Sequence, residues 1–356
     1  MRIAQIAALF ESVPPALYGG TERVIAALCD ELVDAGHDVT LFGAGSSTTK
    51  ARLVPFVAEP LRLRMSRQEM IDVAPHLHLQ MLAEIYARAD EFDVIHSHVD
   101  LLTLPFVTST HVPTLITLHG RLDTDSSQQV FPLYPDVPLI SISDAQRRPL
   151  ARTRLDWVAT VPNGLPLAPY LAQPRAADPD SFAFVGRISH EKRPDLAIEI
   201  ARRTGHRLRI AAKVDPFDLE YYESQIEPLI DGTEIVFTGE IGETEKPSFY
   251  AGARALLFPS DWPEPFGLVM IESLAAGTPV IALRRGSVPE VLEHGVTGFI
   301  CDDVDEMVAA VDRLSEIDPE ACRAAAHEFS AETMCRRYLD AYASLRQRRL
   351  PSLATV

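Results

Sequence analysis

The sequence predicts an α/β protein of two domains, each built on a doubly wound parallel sheet. The chain has 356 residues, more than one ordinary hydrophobic core accommodates. At the N-terminus a buried strand, a glycine-containing loop, an amphipathic helix and a second strand follow one another. The same order begins again near residue 182, so the chain starts this architecture twice.

The elements of the first domain follow from hydrophobic periodicity. Residues 3–9 form an apolar run that we interpret as a strand, and the loop after it contains Gly19 and Gly20. Apolar residues at helical spacing over 24–33 predict a helix, and 39–42 form the next strand. Further buried strands are predicted at 94–96, 115–118 and 139–142.

The second domain repeats this pattern after a linker. Asn163, Gly164 and several prolines indicate a linker over 163–181. The predicted elements are a strand at 182–185, a loop at 186–193, a helix at 194–203 and strands at 208–212, 234–238, 255–258 and 279–282. We therefore predict domains 1–165 and 166–331, with a C-terminal helix over 332–356 that joins the first domain.

Composition and charge limit the classes of function. A formal net charge of -17 argues against general affinity for nucleic acid or anionic lipid. The four cysteines show no CxxC pair and no metal-ligand spacing with histidine, so neither a disulfide framework nor a zinc site is expected. No stretch approaches the roughly 20 apolar residues of a membrane span, and we interpret the apolar N-terminus as a strand. A cytoplasmic location is expected.

Two loops could bind phosphate. Gly19 and Gly20 precede a helix, where backbone amides and the helix dipole favour an anion, although a glycine pair there is more often simple turn chemistry. Arg187 and Lys192 lie in the loop after the first strand of the second domain, where two cations could hold a diphosphate. The alternative is that both are solvated charges near Glu191 and Asp195.

The stretch EPFGLVMIE places two carboxylates around a helix start. Glu264 lies between two prolines, which favours an extended loop, and the helix is predicted to begin near Phe266. The amides of Phe266, Gly267, Leu268 and Val269 then form an anion site. Glu272 lies inside the helix in an apolar run, where a carboxylate usually has a partner.

Two further polar features have competing interpretations. His119 follows the strand sequence LITL, where it could face a ligand or serve only a structural purpose. Asp123, Thr124 and Asp125 match the DxD pattern of metal-dependent sugar transfer, but we interpret them as a solvated loop. No metal ligand is predicted.

Taken together, these motifs resemble those of the family 4 glycosyltransferases, and the resemblance covers nearly the whole chain. It includes the glycine loop, the His119 turn, VPNG at 161–164 and VGRISHEK at 185–192. Its most specific part is the block FPSDWPEPFGLVMIESLAAGTPVIA followed by GSVPEVLEHGVTGF. The resemblance implies the GT-B fold, in which two Rossmann-like domains face each other across a cleft.

The resemblance also implies an activity. It is the transfer of a sugar from a nucleoside diphosphate sugar, with retention of anomeric configuration and without a required metal. UDP-sugar is favoured over GDP-sugar, and the nucleotide sugar is a substrate rather than a cofactor. The acceptor is unidentified; a glycan, a lipid-linked sugar or a small metabolite remains open.

The family pattern assigns roles to matching positions. Glu264 would bind hydroxyls of the donor sugar, Glu272 the ribose, and Arg187 and Lys192 the diphosphate as the glycosidic bond breaks. His119 would contact the donor sugar near the reacting carbon. The backbone of Gly20 would touch the distal phosphate, and that of Gly239, Glu240 and Ile241 the base. Arg193 departs from the pattern, because many relatives have glycine after the lysine.

Several alternatives remain at this stage. A phosphate oxygen is expected to take the acceptor proton, with Glu264 as a covalent nucleophile the minor alternative. A GT-B nucleotide-sugar epimerase and an inactive nucleotide-sugar-binding module are the competing functions. Peripheral membrane contact is the less favoured interpretation of two arginine clusters, Arg62, Arg64 and Arg67, and Arg147, Arg148, Arg152 and Arg154.

Overall fold

The computed structural model describes residues 1–17, 19–175, 178 and 180–348. The chain divides into two compact units. Unit 1 comprises Met1–Leu165 together with the segment that begins at Ala331, and unit 2 comprises Pro166–Ser330. Ala331 therefore lies in unit 1, where its N–H donates to the Leu165 carbonyl at 2.9 Å.

Unit 1 contains a sheet whose described strands are all parallel. The strands are β1 (Arg2–Ile6), β2 (Asp38–Ala44), β3 (Arg52–Val57), β4 (Val94–Ser97), β5 (Thr114–Thr117), β6 (Pro138–Ser141) and β7 (Asp156–Thr160). Their order is β3-β2-β1-β4-β5-β6-β7. The order reverses between β1 and β4, and at such a point ligands bind beyond the carboxyl ends of the strands.

Unit 2 repeats this architecture with a second parallel sheet. Its described strands are β8 (Ser181–Arg187), β9 (Arg207–Lys213), β10 (Ile235–Gly239), β11 (Leu256–Phe258), β12 (Val280–Leu283) and β13 (Gly298–Cys301). Their order is β10-β9-β8-β11-β12-β13, so the reversal falls between β8 and β11. The residues predicted to bind phosphate and sugar lie at the end of β8 and in the segments that follow β8 and β11.

Helices cover the sheets. The α-helices of unit 1 are α1 (Gly20–Asp34), α2 (Leu61–Arg64), α3 (Arg67–Asp72), α4 (Ala74–Tyr86), α5 (Asp100–Val107), α6 (Asp125–Val130), α7 (Asp144–Arg147) and α16 (Ala331–Gln347). Those of unit 2 are α8 (Ala168–Leu171), α9 (Pro194–Thr204), α10 (Leu219–Tyr221), α11 (Lys246–Ala251), α12 (Leu268–Ala275), α13 (Val288–Val291), α14 (Val304–Val311) and α15 (Pro319–Ala326).

The predicted strands are present, with ends shifted by at most three residues, but three strands were missed. β3, β7 and β13 all lie at an edge of their sheet. Residues of β3 and β7 are partly exposed, so their sequences lack the continuous apolar run of a central strand. The predicted linker was too long, because α8 lies within it.

The predicted C-terminal helix is α16, which starts one residue earlier than predicted and extends to Gln347. Residues 349–356 of that prediction lie outside the described residues. The side chains of Tyr338 and Tyr342 on α16 are fully buried in unit 1.

Among the described residues, no helix combines the length and the apolar character that a membrane crossing requires. In the arginine clusters, Arg62 pairs with Glu11 at 3.0 Å, Arg147 with Asp144 at 2.7 Å and Arg154 with Asp136 at 2.9 Å.

Candidate active site

Arg187 and Lys192 lie at the carboxyl end of β8. Arg187 is the last residue of that strand rather than part of the loop, because the strand continues two residues beyond its predicted end. Lys192 lies in the short segment between β8 and α9. The backbone of this segment contacts the segment after β11, since Asp261 N–H donates to the Glu191 carbonyl at 3.0 Å.

Lys192 and Glu264 form a largely buried ion pair although they are 72 residues apart in sequence. Their side chains are only 16% and 12% exposed. The indole N–H of Trp262 also donates to Glu264 Oε2, at 2.9 Å. The Lys192 ammonium lies 5.5 Å from the Trp262 ring centre and 5.8 Å from that of Phe258, within range of cation–π attraction. These contacts hold the cation and the carboxylate together.

Arg187 is held between two acids. Its Nη2 donates to Glu191 Oε2 at 2.9 Å, and its Nε lies 3.3 Å from Asp218 Oδ2. Burial raises the pKa of Asp218, and the Arg187 charge opposes that rise. The alternative of two solvated charges near Glu191 and Asp195 therefore fits Arg187, which pairs with Glu191 and is partly exposed, but not Lys192, which is largely buried against Glu264. Binding of a diphosphate here would replace carboxylate oxygens by phosphate oxygens.

The EPFG stretch is a loop that ends at α12. The helix begins at Leu268 rather than near Phe266, because Gly267 adopts the left-handed conformation with φ 85° as the N-cap. Phe266 precedes the N-cap, so its amide is not part of the helix N-terminus. The amides of Leu268 and Val269 lie in the first turn, where the helix supplies no acceptor.

A second loop fixes the position of Glu264. Ser287 donates its N–H to the Glu264 carbonyl at 3.0 Å and its hydroxyl to the Phe266 carbonyl at 2.7 Å. Gly286 lies against the same backbone: a Cβ at this position would lie 2.2 Å from the Glu264 oxygen. No role for Gly286, Ser287 or Trp262 is predicted from the sequence. The GSVPE segment was the available signal, but its contact with the EPFG loop is not visible in sequence.

Glu272 is fully buried on α12, and it has the partner that its sequence context predicted. Tyr250 donates its hydroxyl to Oε2 at 2.7 Å, and Tyr170 donates to Oε1 at 3.1 Å. The Lys246 ammonium lies 3.7 Å from Oε1. Both oxygens are thus engaged within unit 2, and the side chain is 0% exposed.

Arg193 adopts a backbone conformation that glycine favours. It is the one described non-glycine residue with a positive φ, 53°. Its guanidinium donates to both oxygens of Asp195 at 2.7–3.0 Å and lies 3.6 Å from Asp261. These ion pairs help to offset the cost of the left-handed conformation.

The remaining donor-binding predictions map to two loops. Gly239 ends β10 with φ 75°, and Glu240 and Ile241 follow it. In unit 1, Gly19 is the N-cap of α1 and Gly20 is its first residue, whereas Tyr18 of the same motif lies outside the described residues.

His119 belongs to a buried chain of hydrogen bonds in unit 1. His119 Nε2 lies 2.8 Å from His98 Nδ1, and His98 Nε2 lies 3.0 Å from Gln5 Oε1. Gln5 Nε2 donates to the Tyr342 hydroxyl at 3.0 Å, and that hydroxyl lies 2.7 Å from His96 Nδ1. This series of hydrogen bonds therefore connects His119 with α16.

This chain defines the tautomer of His119. Burial lowers the pKa of His119 to about 4 and that of His98 well below its usual value, so both rings are neutral. Gln5 Oε1 can only accept, so His98 carries its proton on Nε2 and accepts from His119 at Nδ1. His119 then carries its proton on Nε2. Its Nδ1 is a buried acceptor without a hydrogen-bond partner among the described residues.

The DxD-like segment has a structural explanation. Asp123 pairs with Arg121 at 2.8 Å, and both side chains are partly exposed. Thr124 is the N-cap of α6, accepting from Ser127 N–H, and Asp125 is the first helical residue. Within the described part of the chain, no group of three or more potential His, Cys, Asp or Glu metal ligands occurs. All four cysteines are buried and free.

Comparison with known proteins identifies the class. A family model described as Glycosyl transferases group 1 matches residues 172–329, and one described as Glycosyltransferase Family 4 matches residues 18–168. Glycogen synthase of Mycobacterium tuberculosis is 26% identical over 87% of this chain and 85% of that protein. Phosphatidyl-myo-inositol mannosyltransferase of Mycolicibacterium smegmatis is 25% identical over 89% and 86%.

A solved structure supports the fold. Anabaena Alr3699/HepE, in complex with UDP and glucose, has a TM-score of 0.75 and 18% identity, covering 97% of this chain and 100% of that chain. The fold and the matched families define a glycosyltransferase of the GT-B type. The chain belongs to glycosyltransferase family 4.

Proposed function

We propose that this enzyme transfers a sugar from a nucleoside diphosphate sugar to an acceptor hydroxyl, with retention of configuration and without a metal ion. The observation that carries the proposal is the Lys192–Glu264 pair, because it joins the segment after Arg187 to the loop before α12. A backbone hydrogen bond from Asp261 to Glu191 joins the same two segments. The Lys192–Glu264 pair combines a cation for phosphate with an acceptor for sugar hydroxyls. A uridine donor is favoured over guanosine, because the Anabaena relative binds UDP.

The diphosphate would bind to Arg187, Lys192 and the first turn of α12. Glu264 uses one of the three ammonium N–H bonds of Lys192, so the others can donate to phosphate oxygens. The amides of Leu268 and Val269 and the helix dipole add to this anion site. Together these groups would stabilise the charge that develops as the glycosidic bond breaks. The backbone of Gly19 and Gly20 would contact the distal phosphate.

The proposed reaction uses the diphosphate itself as the base. The acceptor oxygen attacks the anomeric carbon from the face that the diphosphate leaves, and a phosphate oxygen takes the hydroxyl proton. Glu264 accepts hydrogen bonds from Lys192 and Trp262 on one oxygen, which makes that oxygen a weaker nucleophile and favours a binding role. His119 would accept a hydrogen bond from a hydroxyl of the donor sugar at its unpaired Nδ1.

The two remaining binding roles concern the ribose and the base. Glu272 would bind the ribose only if ribose hydroxyls replace those of Tyr170 and Tyr250. The base would contact the backbone of Gly239, Glu240 and Ile241, which is why the side chains do not define its identity.

A nucleotide panel tests the proposal. Thermal midpoints are measured with UDP, GDP, ADP and dTDP, each with and without EDTA, because a ligand that binds the native state raises stability. UDP should give the largest shift, and EDTA should not reduce it.

Paired variants locate the site. Lys192→Ala should weaken UDP binding by roughly tenfold or more, since charge-assisted hydrogen bonds are worth about 1.5–3 kcal/mol. Arg203→Ala removes a cation from an exposed pair with Asp305 at the far end of α9 and should leave binding unchanged. Equal effects in the two variants, or no shift with any nucleotide, would contradict the proposal.

A further inference from the structure

The segment between β9 and α10 exposes apolar side chains at the carboxyl end of the unit 2 sheet. Among the described residues of unit 2, the exposed large apolar side chains are Phe217 (52%), Leu219 (45%) and Val296 (38%). Phe217 follows β9, and Leu219 is the first residue of α10. Val296 instead lies before β13, at the amino end of that strand. Phe217 and Leu219 are therefore exposed on the side where a parallel sheet binds its ligands.

Contacts on both sides hold this segment between β8 and β10. Asp218, the residue after Phe217, lies 3.3 Å from Nε of Arg187 at the end of β8. The Tyr222 ring, just after α10, lies 5.5 Å from the Phe237 ring of β10, measured between ring centres. β9 itself lies between β8 and β10 in the sheet. The segment that carries Phe217 therefore leads from the proposed diphosphate site toward the strand that precedes the proposed base loop.

An exposed aromatic ring beside a diphosphate site suits a nucleobase. Every base has a π-face, and stacking of that face on an aromatic side chain is favourable whatever the base. The proposed backbone contacts of residues 239–241 would use the polar edge of the base, so its faces stay available for stacking. A protein partner fits less well, because each side of a stable protein interface buries about 800 Å² and two side chains provide only a part of that area.

We propose that the Phe217 ring stacks on the base of the nucleoside diphosphate sugar. This inference rests on the proposed function, in which Arg187 binds the diphosphate and the backbone of residues 239–241 contacts the edge of the base. The ligand would then extend from the end of β8 past the end of β9 to the end of β10, in the order of the strands. Because stacking discriminates little between bases, Phe217 contributes affinity, and the backbone contacts decide which base is preferred.

The test compares a ligand that carries a base with one that does not. Isothermal titration calorimetry measures the affinities of UDP and of pyrophosphate for the unchanged protein and for three variants. Phe217→Leu keeps an apolar side chain but removes the aromatic face, whereas Phe217→Tyr keeps that face. Val296→Ala is the control, since it truncates an exposed apolar side chain at the amino end of a strand. Both positions are exposed, so the variants should fold as the unchanged protein does.

We expect Phe217→Leu to weaken UDP binding by about tenfold, which is about 1.4 kcal/mol, and to change pyrophosphate binding by less than about twofold. Phe217→Tyr and Val296→Ala should bind both ligands as the unchanged protein does. Absence of UDP or pyrophosphate binding by the unchanged protein would overturn the proposed function instead. This inference is overturned if Phe217→Leu binds UDP normally, if it loses UDP and pyrophosphate affinity equally, or if Phe217→Tyr loses as much UDP affinity as Phe217→Leu.

Discussion

The two cations of the candidate site are both paired with acids, and the pairs differ in character. Lys192 and Glu264 are largely buried together, whereas Arg187 shares its charge between Glu191 and Asp218 and is about one-third exposed. Exposed pairs contribute little to stability, so exchange of Glu191 for phosphate should cost little free energy. The Lys192–Glu264 pair is instead suited to persist while each partner binds a different part of one ligand.

The tautomer of His119 gives a prediction at the residue scale. Tyr342→Phe removes the hydroxyl that accepts from Gln5, so the Gln5 amide loses the contact that orients it. His119 should then sample both tautomers, and kcat/KM should fall about fivefold, equivalent to one hydrogen bond of roughly 1 kcal/mol. The affinity for UDP alone should not change, because UDP carries no donor sugar. ¹⁵N NMR of the His119 ring reports the tautomer directly.

Tyr338→Phe is the matched control. Tyr338 is also buried on α16, but its hydroxyl contacts Thr117 at 3.1 Å. Thr117 contacts His96, so this contact lies at the end of the hydrogen-bond series that is farthest from His119. His96 still accepts from Tyr342, so the His119 tautomer should stay as it is. If both variants shift the ¹⁵N signals equally, or neither does, the hydrogen-bond chain does not set the tautomer.

The sequence provides candidate residues for the site but not the contacts between them. Lys192, Glu264 and His119 were predicted from loop position, charge and family resemblance. The pairing of Lys192 with Glu264 spans 72 residues and depends on how β8 and β11 lie side by side. Likewise, the apolar context of Glu272 predicted a partner, but only the fold brings Tyr170 and Tyr250 to it.

At the scale of elements, the contact between two loops provides the next prediction. Gly286→Ala places a Cβ within 2.2–2.4 Å of the Glu264 backbone, so the loop that carries Glu264 must move. We expect loss of UDP binding and a clear fall in the thermal midpoint.

Gly295→Ala separates steric contact from backbone strain. Gly295 also has a positive φ, 78°, but a Cβ there would meet nothing within 4 Å. Both substitutions pay about 1–2 kcal/mol for the left-handed conformation, and only Gly286→Ala adds the clash. Gly295→Ala should retain UDP affinity within about twofold, which is about 0.4 kcal/mol. Similar losses in both variants would show that the loop contact is unimportant for the site.

Fully buried central strands could be predicted from the sequence, whereas two partly exposed edge strands could not. Central strands such as β4 and β12 are buried along their whole length and were visible as apolar runs. The edge strands β3 and β7 are half-exposed and gave no such signal. The start of α12 was predicted too early. Gly267 is the N-cap in the left-handed conformation, so the helix begins only at Leu268, and hydrophobic periodicity does not reveal that conformation.

At the scale of the whole molecule, buried histidines should make unit 1 sensitive to acid. Burial lowers the pKa of five histidines in unit 1: His37, His78, His96, His98 and His119. It raises the pKa of three acids there: Glu22, Glu31 and Asp100. As the pH falls below about 6.5, the unfolded chain therefore binds more protons at these histidines than the folded chain does. The raised acids act in the opposite direction but are fewer.

The free energy of unfolding of unit 1 should therefore fall as pH falls from 7 to 5. Each net proton contributes up to about 1.4 kcal/mol per pH unit. The two tryptophans allow this to be measured, since Trp157 lies in unit 1 and Trp262 in unit 2. Urea unfolding of Trp262→Phe reports unit 1, and that of Trp157→Phe reports unit 2 as the reference. A unit 1 midpoint that does not change with pH, or that changes in parallel with unit 2, would contradict the prediction.

The stereochemistry of transfer tests the central claim most directly. UDP-α-D-glucose and GDP-α-D-mannose are each incubated with the enzyme in the presence of EDTA. Octyl β-D-glucopyranoside and 4-nitrophenyl β-D-glucopyranoside serve as hydroxylated acceptors, and ¹H NMR follows the configuration of the newly formed glycosidic bond. The account predicts release of a nucleoside diphosphate and an α-configured product, with no product from the Lys192→Ala variant. A β-configured product, or an epimerised nucleotide sugar without nucleotide release, would contradict it.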